Sequence, residues 1–518
     1  MTARRWSIAI FVAVFAWYLV TASREQPWGD AHPIWDVADA IVTDGTIRTN
    51  IRWPEDLPPG RDGATYGIAP IGPALSQVPG AALYEEVMRV VPRYQAVTLP
   101  LFAHLAPAAF GALACALFFL LLGDLGVRVR VASSCTAILA LATTTWVYAR
   151  SPYSEAMQLA MFLGMFRQAL RVGDAPTRRA ALGFGAWAGM LLNAKYVFAV
   201  AIVGAACAIA VRLRRDALRV LGWAALAGAP FVALAVWYNV ARWGSPLSSG
   251  YDAYYSAFFG GSVFDGAWGM LASPNKSIFL YAPPLVVAAL MFPRCVRAVP
   301  RYGALVLATV VPVILVYCTY RSWSGEYAWG PRFLVWAVPV LLVPIAWAFD
   351  RGAAWRWAVR GTVVVGIVVQ LLGNALYWDH WIRISILAKD EWLGDANRAG
   401  AYVPERGRGH CDSCFEDTYQ LLWTPAFQPI AGHWWLLKNL ALGRSAEQAV
   451  EDAPWSTYTT LQMQLMGFYE RARIDWWALA WLDEDRSLAV GGGAILGAQL
   501  ALLAWAIWAW IRRHRAAD

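Results

Sequence analysis

Apolar stretches long enough to cross a bilayer alternate along this chain with short, arginine-bearing breaks. The runs lie at residues 6–24, 95–122, 132–149, 153–171, 180–193, 195–212, 217–241, 277–293, 303–320, 333–349, 358–378 and 489–511. A span takes about 20 apolar residues at the α-helical rise, so the pattern predicts an all-α bundle of about 12 transmembrane helices. The pair within 180–212 is interrupted by Asn193-Ala194-Lys195, read as a tight turn; one long broken helix is the alternative and would change the parity. Three longer segments, 25–94, 242–276 and 379–488, separate the runs. In the first, Pro33 to Thr43 and Ala74 to Val91 each carry one apolar face, as helices lying in the membrane interface do. Pro54 to Gly63, rich in Pro, Gly and charge, reads as a loop. The last, with tryptophans from Trp378 to Trp477, is too aromatic for a linker and is expected to fold down on the bundle as a cap.

Composition agrees. Of 518 residues, 59% are hydrophobic and 15% charged, with a mean hydropathy of +0.43. A membrane bundle needs that much apolar content and a soluble domain does not. The 30 tryptophans and 21 tyrosines suit interfacial belts. The net charge of +8 does not point to nucleic acid, because the arginines fall in short clusters between apolar runs rather than along one polar face. With Arg4 and Arg5 in the cytoplasm, alternate loops become basic: Arg128/Arg130, Arg171/Arg178/Arg179, Arg212/Arg214/Arg215, Arg294/Arg297/Arg301, Arg351/Arg356/Arg360 and Arg512/Arg513/Arg515. That is the positive-inside pattern with both termini cytoplasmic. Residues 1–22 also fit a secretory signal ending at Val20 and Ala22, whose cleavage would leave every other orientation unchanged. The organisation expected is a transmembrane core over 1–378 with its first outer loop at 25–94, an extracytoplasmic cap over 379–488, and a last helix with a basic tail over 489–518.

Charge then collects on the face opposite the basic loops. Asp30 follows the first span, within Trp28-Gly29-Asp30-Ala31-His32-Pro33-Ile34-Trp35. Arg150 and Glu155 flank the turn after the third, Lys195 that after the fifth; Lys276 precedes the eighth, and Arg321, Glu326 and Arg332 surround the turn after the ninth. Any one of these fits a snorkelling cation or an interfacial anchor. As a group they contradict the depletion of cations that positive-inside bias imposes on this face. Cations with two or three carboxylates at a membrane boundary suit a lipid phosphate, held by guanidinium forks while a carboxylate takes a proton from a hydroxyl.

These residues also resemble a family. Asp30-x4-Trp35-x2-Ala38-x6-Gly45, directly after the first span, resembles the first outer loop of GT-C glycosyltransferases. Tyr66-Gly-Ile-Ala-Pro70-Ile-Gly-Pro73-Ala-Leu-x3-Pro79 is similar to the segment leading into their second interfacial helix, and Ser151-Pro-Tyr-Ser-Glu155 to their acidic motif at the fourth span. Pro246 to Tyr251, Leu271-Ala-Ser-Pro274, Leu280-Tyr-Ala-Pro283 and Tyr327-Ala-Trp-Gly-Pro-Arg332 resemble motifs of bacterial members, in the protein O-mannosyltransferase and lipid A aminoarabinose transferase group. The resemblance covers roughly residues 1–378. It implies a GT-C fold, a polyprenyl-phosphate-linked sugar donor, inversion at the anomeric carbon and no nucleotide sugar or other cofactor. By resemblance Asp30 would be the base and Glu155 a second acid; Arg332, with Arg150 and Lys276, would bind the donor phosphate; Tyr66, Tyr153, Glu326 and Tyr327 would line the substrates. Asp30-Ala31 stands where the family often has Asp-Glu, Trp35 replaces Tyr, and the Trp-Trp-Asp-Tyr-Gly signature of oligosaccharyltransferases is absent. That speaks against transfer of an oligosaccharide block and the metal site it uses, and the expectation is transfer of a single sugar.

The remaining motifs read structurally. Asp36 and Asp39 share one face and fit a solvated surface, while Asp44 before Gly45 marks a helix end. His32 and His433 lack a partner histidine at metal spacing, so no metal is expected. Cys115, Cys135, Cys207, Cys295 and Cys318, scattered in apolar runs, read as buried packing. Cys411 and Cys414 form a CxxC in the outer segment, where a local disulfide outweighs a zinc or redox site.

The sequence thus reads as an inverting glycosyltransferase on the outer face of a bacterial-type inner membrane. Its partners would be a polyprenyl-phosphate sugar, membrane lipids and an acceptor hydroxyl on a glycan, glycolipid or protein. The rival is a transporter or flippase of a lipid-linked or anionic solute, with the same charges lining its path; it predicts paired halves with interrupted helices, and no internal symmetry is seen. A non-catalytic envelope scaffold is the third reading.

Overall fold

The structure is a computed structural model. It describes residues 3–52, 57–254, 259–325 and 328–378, then 381, 385, 422–423, 425–451, 469 and 472–515. The described elements are helices, with no strand beyond two isolated bridges, Phe259–Tyr320 and Leu376–Ile474. Among the described residues six helical stretches are long and apolar enough to cross a membrane: Ala3–Val20, Pro92–Asp124, Tyr196–Trp243, Pro300–Cys318, Ala353–Ala375 and Arg486–Trp508. Shorter apolar helices, Val129–Leu141 and Arg332–Ala348, lie between them. The protein is a multi-pass membrane protein.

Each apolar run becomes helical, but several are broken where the backbone loses donors. The run at 95–122 divides at His104 into Gln95–Ala103 and Leu105–Asp124, with Pro100 and Pro107 either side of the break. The run at 132–149 divides into Val129–Leu141 and Thr145–Ala149. The run at 333–349 is a single α-turn, Val338–Leu342, between 3₁₀ segments Arg332–Ala337 and Val343–Ala348, because Pro339 and Pro344 interrupt the α-helical ladder. Around Asn193 the chain turns as expected: Arg178–Ala194 and Ala199–Leu213 are separate helices joined by the 3₁₀ turn Tyr196–Phe198.

Helix pairs approach closely where glycine faces backbone. A Cβ on Gly204 would stand 1.8 Å from the Ala308 carbonyl oxygen, and one on Gly185 would stand 1.9 Å from that of Ala224. Apolar faces gain nothing from each other in lipid, so small residues that admit close packing hold such helices. Gly204→Ala is therefore expected to cost about 1–3 kcal/mol through overpacking. Gly222→Ala, where the new methyl meets nothing within 4 Å, serves as the control. Thermal unfolding in detergent compares them, and equal melting temperatures would refute the packing argument.

In the 25–94 segment, Ala31–Thr43 and Ile71–Val90 form the two helices expected there, each starting two or three residues earlier than its periodicity suggests. Trp35 and Ala38 pack on Ala81 and Tyr84. The acidic face differs from the solvated surface expected. Asp36 accepts from Thr49 Oγ1 at 2.5 Å and from the Asn50 amide at 2.7 Å. Burial, reinforced by Glu85 opposite and by Asp36 and Asp44 on its own helix, raises the Asp39 carboxyl from 3.8 to about 6. A carboxyl that holds its proton more tightly when folded contributes stability below its unfolded pKa, and that contribution is lost as pH rises through the folded value. Asp39→Asn should accordingly raise the melting temperature by a few degrees at pH 8 and leave it nearly unchanged at pH 4; an equal shift at both would contradict this. Asp44 caps the helix end as expected.

Among the described residues, ion pairs between elements join segments that the arginine pattern assigns to one side. Arg167–Asp124, Arg212–Asp174, Arg301–Asp174 and Arg128–Asp350 join loops of the basic face to one another. Arg24–Asp483 and Arg93–Asp485 join loops of the opposite face. From the 379–488 segment, the helix Pro429–Ala441 lies against the end of Ala353–Ala375, with His433 Nδ1 hydrogen-bonded to the Leu372 carbonyl at 2.8 Å. Ser273 Oγ donates to the Leu422 carbonyl at 2.5 Å. Cys115, Cys135, Cys295 and Cys318 are buried, but Cys207 is exposed on the outside of Ala199–Leu213, a correction to its reading as core. Cys411 and Cys414 lie outside the described residues.

Candidate active site

Three segments far apart in sequence bring their charges to one point at the ends of helices. The first is the turn after Ala3–Val20. Gly29, at φ +57°, makes the reversal that starts the next helix, and Asp30 occupies the N-cap position of Ala31–Thr43 without capping it. Its carboxylate is therefore turned to other partners. The second is Ser151-Pro152-Tyr153-Ser154, which ends at Glu155 in the first turn of Glu155–Asp174, where the helix dipole favours a negative charge. The third is Trp329-Gly330-Pro331, which delivers Arg332. Gly330 takes φ +70°, and a Cβ there would lie 2.6 Å from the Tyr281 ring, so only glycine gives this approach.

Arg332 bridges the two acids. Its Nε donates to Glu155 Oε1 at 2.6 Å and one Nη donates to Asp30 Oδ2, while its guanidinium carbon lies 5.0 Å from the centre of the Tyr153 ring. The Glu155 side chain is 3% exposed, Arg332 14% and Asp30 34%. Glu155 Oε2 is buried and has no hydrogen-bond partner among the described residues. Asp30 is thus the more exposed of the two carboxylates, and Glu155 the buried one that holds the guanidinium.

Two further groups lie within electrostatic reach of this trio, Lys195 from the turn after Arg178–Ala194 and Tyr251 from Tyr251–Tyr254. The Lys195 ammonium sits 5.0 Å from the Phe333 ring centre. Sequence marked Lys195 only as one outer cation among several and Tyr251 only as a motif end; their proximity to Arg332 depends on how the helices pack.

The loop before Arg332 is held carbonyl by carbonyl. Lys276 Nζ donates to the Ala328 oxygen at 2.7 Å and to that of Gly330 at 3.4 Å, and Tyr148 Oη donates to that of Trp329 at 3.1 Å. Lys276, expected on a phosphate, is buried beneath this loop and supports it. Arg150, expected there too, is also revised. Its Nη1 donates to the Asn374 carbonyl at 2.5 Å and to Asn374 Oδ1 at 3.1 Å, and Nη2 pairs with Asp475 Oδ2 at 3.3 Å. Tyr153 belongs to the site, between Arg332 and Trp378. Tyr66 is set in the first outer loop, its hydroxyl donating to Asp62 at 3.0 Å and its ring edge-on to Trp243. Glu326 and Tyr327 lie outside the described residues. Asp475 and Arg242 carry no signal in the sequence, yet both are buried; Arg242 donates to the Gly67 and Ala69 carbonyls and so fixes the chain entering Ile71–Val90.

No family model matches the sequence, and no curated protein matches it. Among solved structures, the chain is similar to ArnT from Cupriavidus metallidurans bound to undecaprenyl phosphate. The identity is 15%, over 90% of this chain and 74% of that one, at a TM-score of 0.47. It is also similar to the archaeal oligosaccharyltransferase AglB from Archaeoglobus fulgidus in complex with an inhibitory peptide and a dolichol-phosphate. There the identity is 12%, over 89% of this chain and 56% of that one, at a TM-score of 0.35.

Proposed function

We propose that this protein transfers a single sugar from a polyprenyl-phosphate carrier to an acceptor hydroxyl, with inversion, on the extracytoplasmic face of a bacterial-type inner membrane, both termini being cytoplasmic. The observation that carries the reading is the bridge from Asp30 through Arg332 to Glu155, at the outer ends of spans whose opposite ends are basic. The motif resemblance of residues 1–378 supports it independently.

Asp30, the most exposed of the three, takes the proton of the acceptor hydroxyl. The oxygen attacks the anomeric carbon from the face opposite the lipid phosphate, a new glycosidic bond forms, and the electrons of the breaking carbon–oxygen bond leave with the phosphate. Two cations, Arg332 and Lys195, balance two carboxylates here, so the phosphate does not meet a large positive excess. It is held at the edge of the guanidinium not used by Glu155, with Lys195 beside it. As Asp30 accepts the proton its charge falls, and Arg332 is released toward the charge gathering on the leaving oxygen, the interaction expected to contribute most to rate. Glu155 keeps the guanidinium plane fixed throughout.

Proteoliposomes loaded with a lipid-linked sugar distinguish the enzyme from a carrier of the same lipid. The expected result is a glycosylated acceptor and free polyprenyl phosphate without any membrane gradient. Relocation of intact lipid-linked sugar with no product would replace this reading by the carrier. Mass spectrometry of envelope glycans from a strain lacking the gene identifies the sugar and acceptor.

A further inference from the structure

Arg150 and Asp475 form an ion pair as buried as any among the described residues, 3% and 4% exposed, and neither group touches the Asp30–Arg332–Glu155 bridge. Burying two charges rarely stabilises a fold more than apolar side chains of the same volume would. What the pair does provide is a junction. On one side, Asp475 Oδ1 accepts from Ser23 Oγ at 2.6 Å and from the Arg24 amide at 2.9 Å, in the turn that runs on to Asp30. On the other, Arg150 opens the turn that ends at Glu155, with Ser151 Oγ tied to the Val147 carbonyl at 2.9 Å.

The same two residues also close one helix end. Arg150 Nη1 satisfies the Asn374 carbonyl at the end of Ala353–Ala375, and the Asp475 amide satisfies that of Ala375 at 2.9 Å. The next two residues satisfy the end of Ala3–Val20: Trp476 Nε1 donates to the Val20 carbonyl at 2.5 Å and Trp477 Nε1 to that of Leu19 at 3.0 Å. Two helix ends and the chain returning from the 379–488 segment therefore meet around one guanidinium and one carboxylate.

We infer that Arg150 and Asp475 are positioning residues, a buried clamp that sets the turn bearing Asp30 against the turn bearing Glu155 so that Arg332 spans both. The inference rests on the reading of Asp30 and Glu155 as working groups of the transfer site. A clamp of this kind acts on the rate of the bound complex, because displacing a reacting group by about 1 Å costs on the order of a hundredfold, and it leaves donor affinity nearly intact.

The test pairs Asp475→Asn with the double replacement Arg150→Met and Asp475→Leu, which removes both charges together and leaves none buried alone. Transfer from a polyprenyl-phosphate sugar by purified protein is expected to lose about a hundredfold in kcat, with KM for the donor changed less than about threefold. Combined with Glu155→Gln, the clamp variants should cost much less than the product of the separate losses, since they disturb one shared geometry. If the apolar pair fails to assemble, Arg150→Lys decides: it keeps the charge without the fork and should lose kcat alone, by about tenfold. Folded variants turning over near the wild-type rate, losses confined to KM, or losses that multiply with Glu155→Gln would each overturn the clamp. Asp30→Asn run alongside separates the two claims: full turnover there removes the transfer site itself, whereas its inactivity beside a fully active clamp variant removes only the clamp.

Discussion

Asp30→Asn is expected to abolish most turnover while leaving donor binding intact or tighter. Asparagine keeps the shape of the side chain and can still accept from Arg332, but it cannot take the acceptor proton. Loss of a positioned base costs on the order of 10²–10⁴ in rate. The sign of the binding change follows from the bridge. Asp30 Oδ2 occupies one Nη of Arg332, so the carboxylate competes with any phosphate for the same cation, and neutralising it removes the competitor. Turnover and equilibrium binding of a radiolabelled lipid-linked sugar check both halves. A variant that loses affinity in proportion to rate would make Asp30 a binding group, not a base.

Arg332 carries the second large effect, and here stability and catalysis have to be separated. Removing it as Arg332→Met leaves Glu155, 3% exposed, with a buried charge and without its hydrogen-bonded counter-ion, a situation that costs about 3–5 kcal/mol. The same change withdraws the donor group aimed at the leaving phosphate, worth on the order of 10²–10³ in rate. Adding Glu155→Gln should restore the melting temperature and leave the activity lost. Arg332→Lys keeps the charge, but one ammonium cannot bridge two carboxylates as a planar fork does, so it should fold and turn over slowly. Unchanged kcat and donor KM in Arg332→Lys would dismiss the guanidinium as a working group.

The long apolar helices were legible because a bilayer demands continuous apolar length, and that demand is written locally in the sequence; among the described residues six stretches are long enough to span, against about 12 expected. Where structure departs from it, as in the 3₁₀ geometry around Pro339 and Pro344, the prolines were visible but their tertiary setting was not. That Asp30, Glu155 and Arg332 meet in one bridge was foreshadowed by the place of Asp30 just beyond the first apolar run and by the short motifs that carry Glu155 and Arg332. Arg150 and Lys276 share that placement yet serve the backbone of neighbouring loops. Position relative to the membrane narrows which charges can meet; it does not say which way a side chain turns. Asp475 lay beyond reach for a related reason. Its partner Arg150 is 325 residues away, and no period or spacing connects two contacts so distant.

The central claim is that the bridged Asp30–Arg332–Glu155 group breaks a sugar–phosphate bond at the membrane surface. A single-turnover reaction of the purified protein in detergent micelles, given a polyprenyl-phosphate sugar and an acceptor, tests it most directly. The account predicts one free polyprenyl phosphate released for each sugar transferred, an inverted anomeric configuration in the product, and neither event in Asp30→Asn. Release of sugar with retained configuration, or undiminished release by the Asp30 variant, would contradict it.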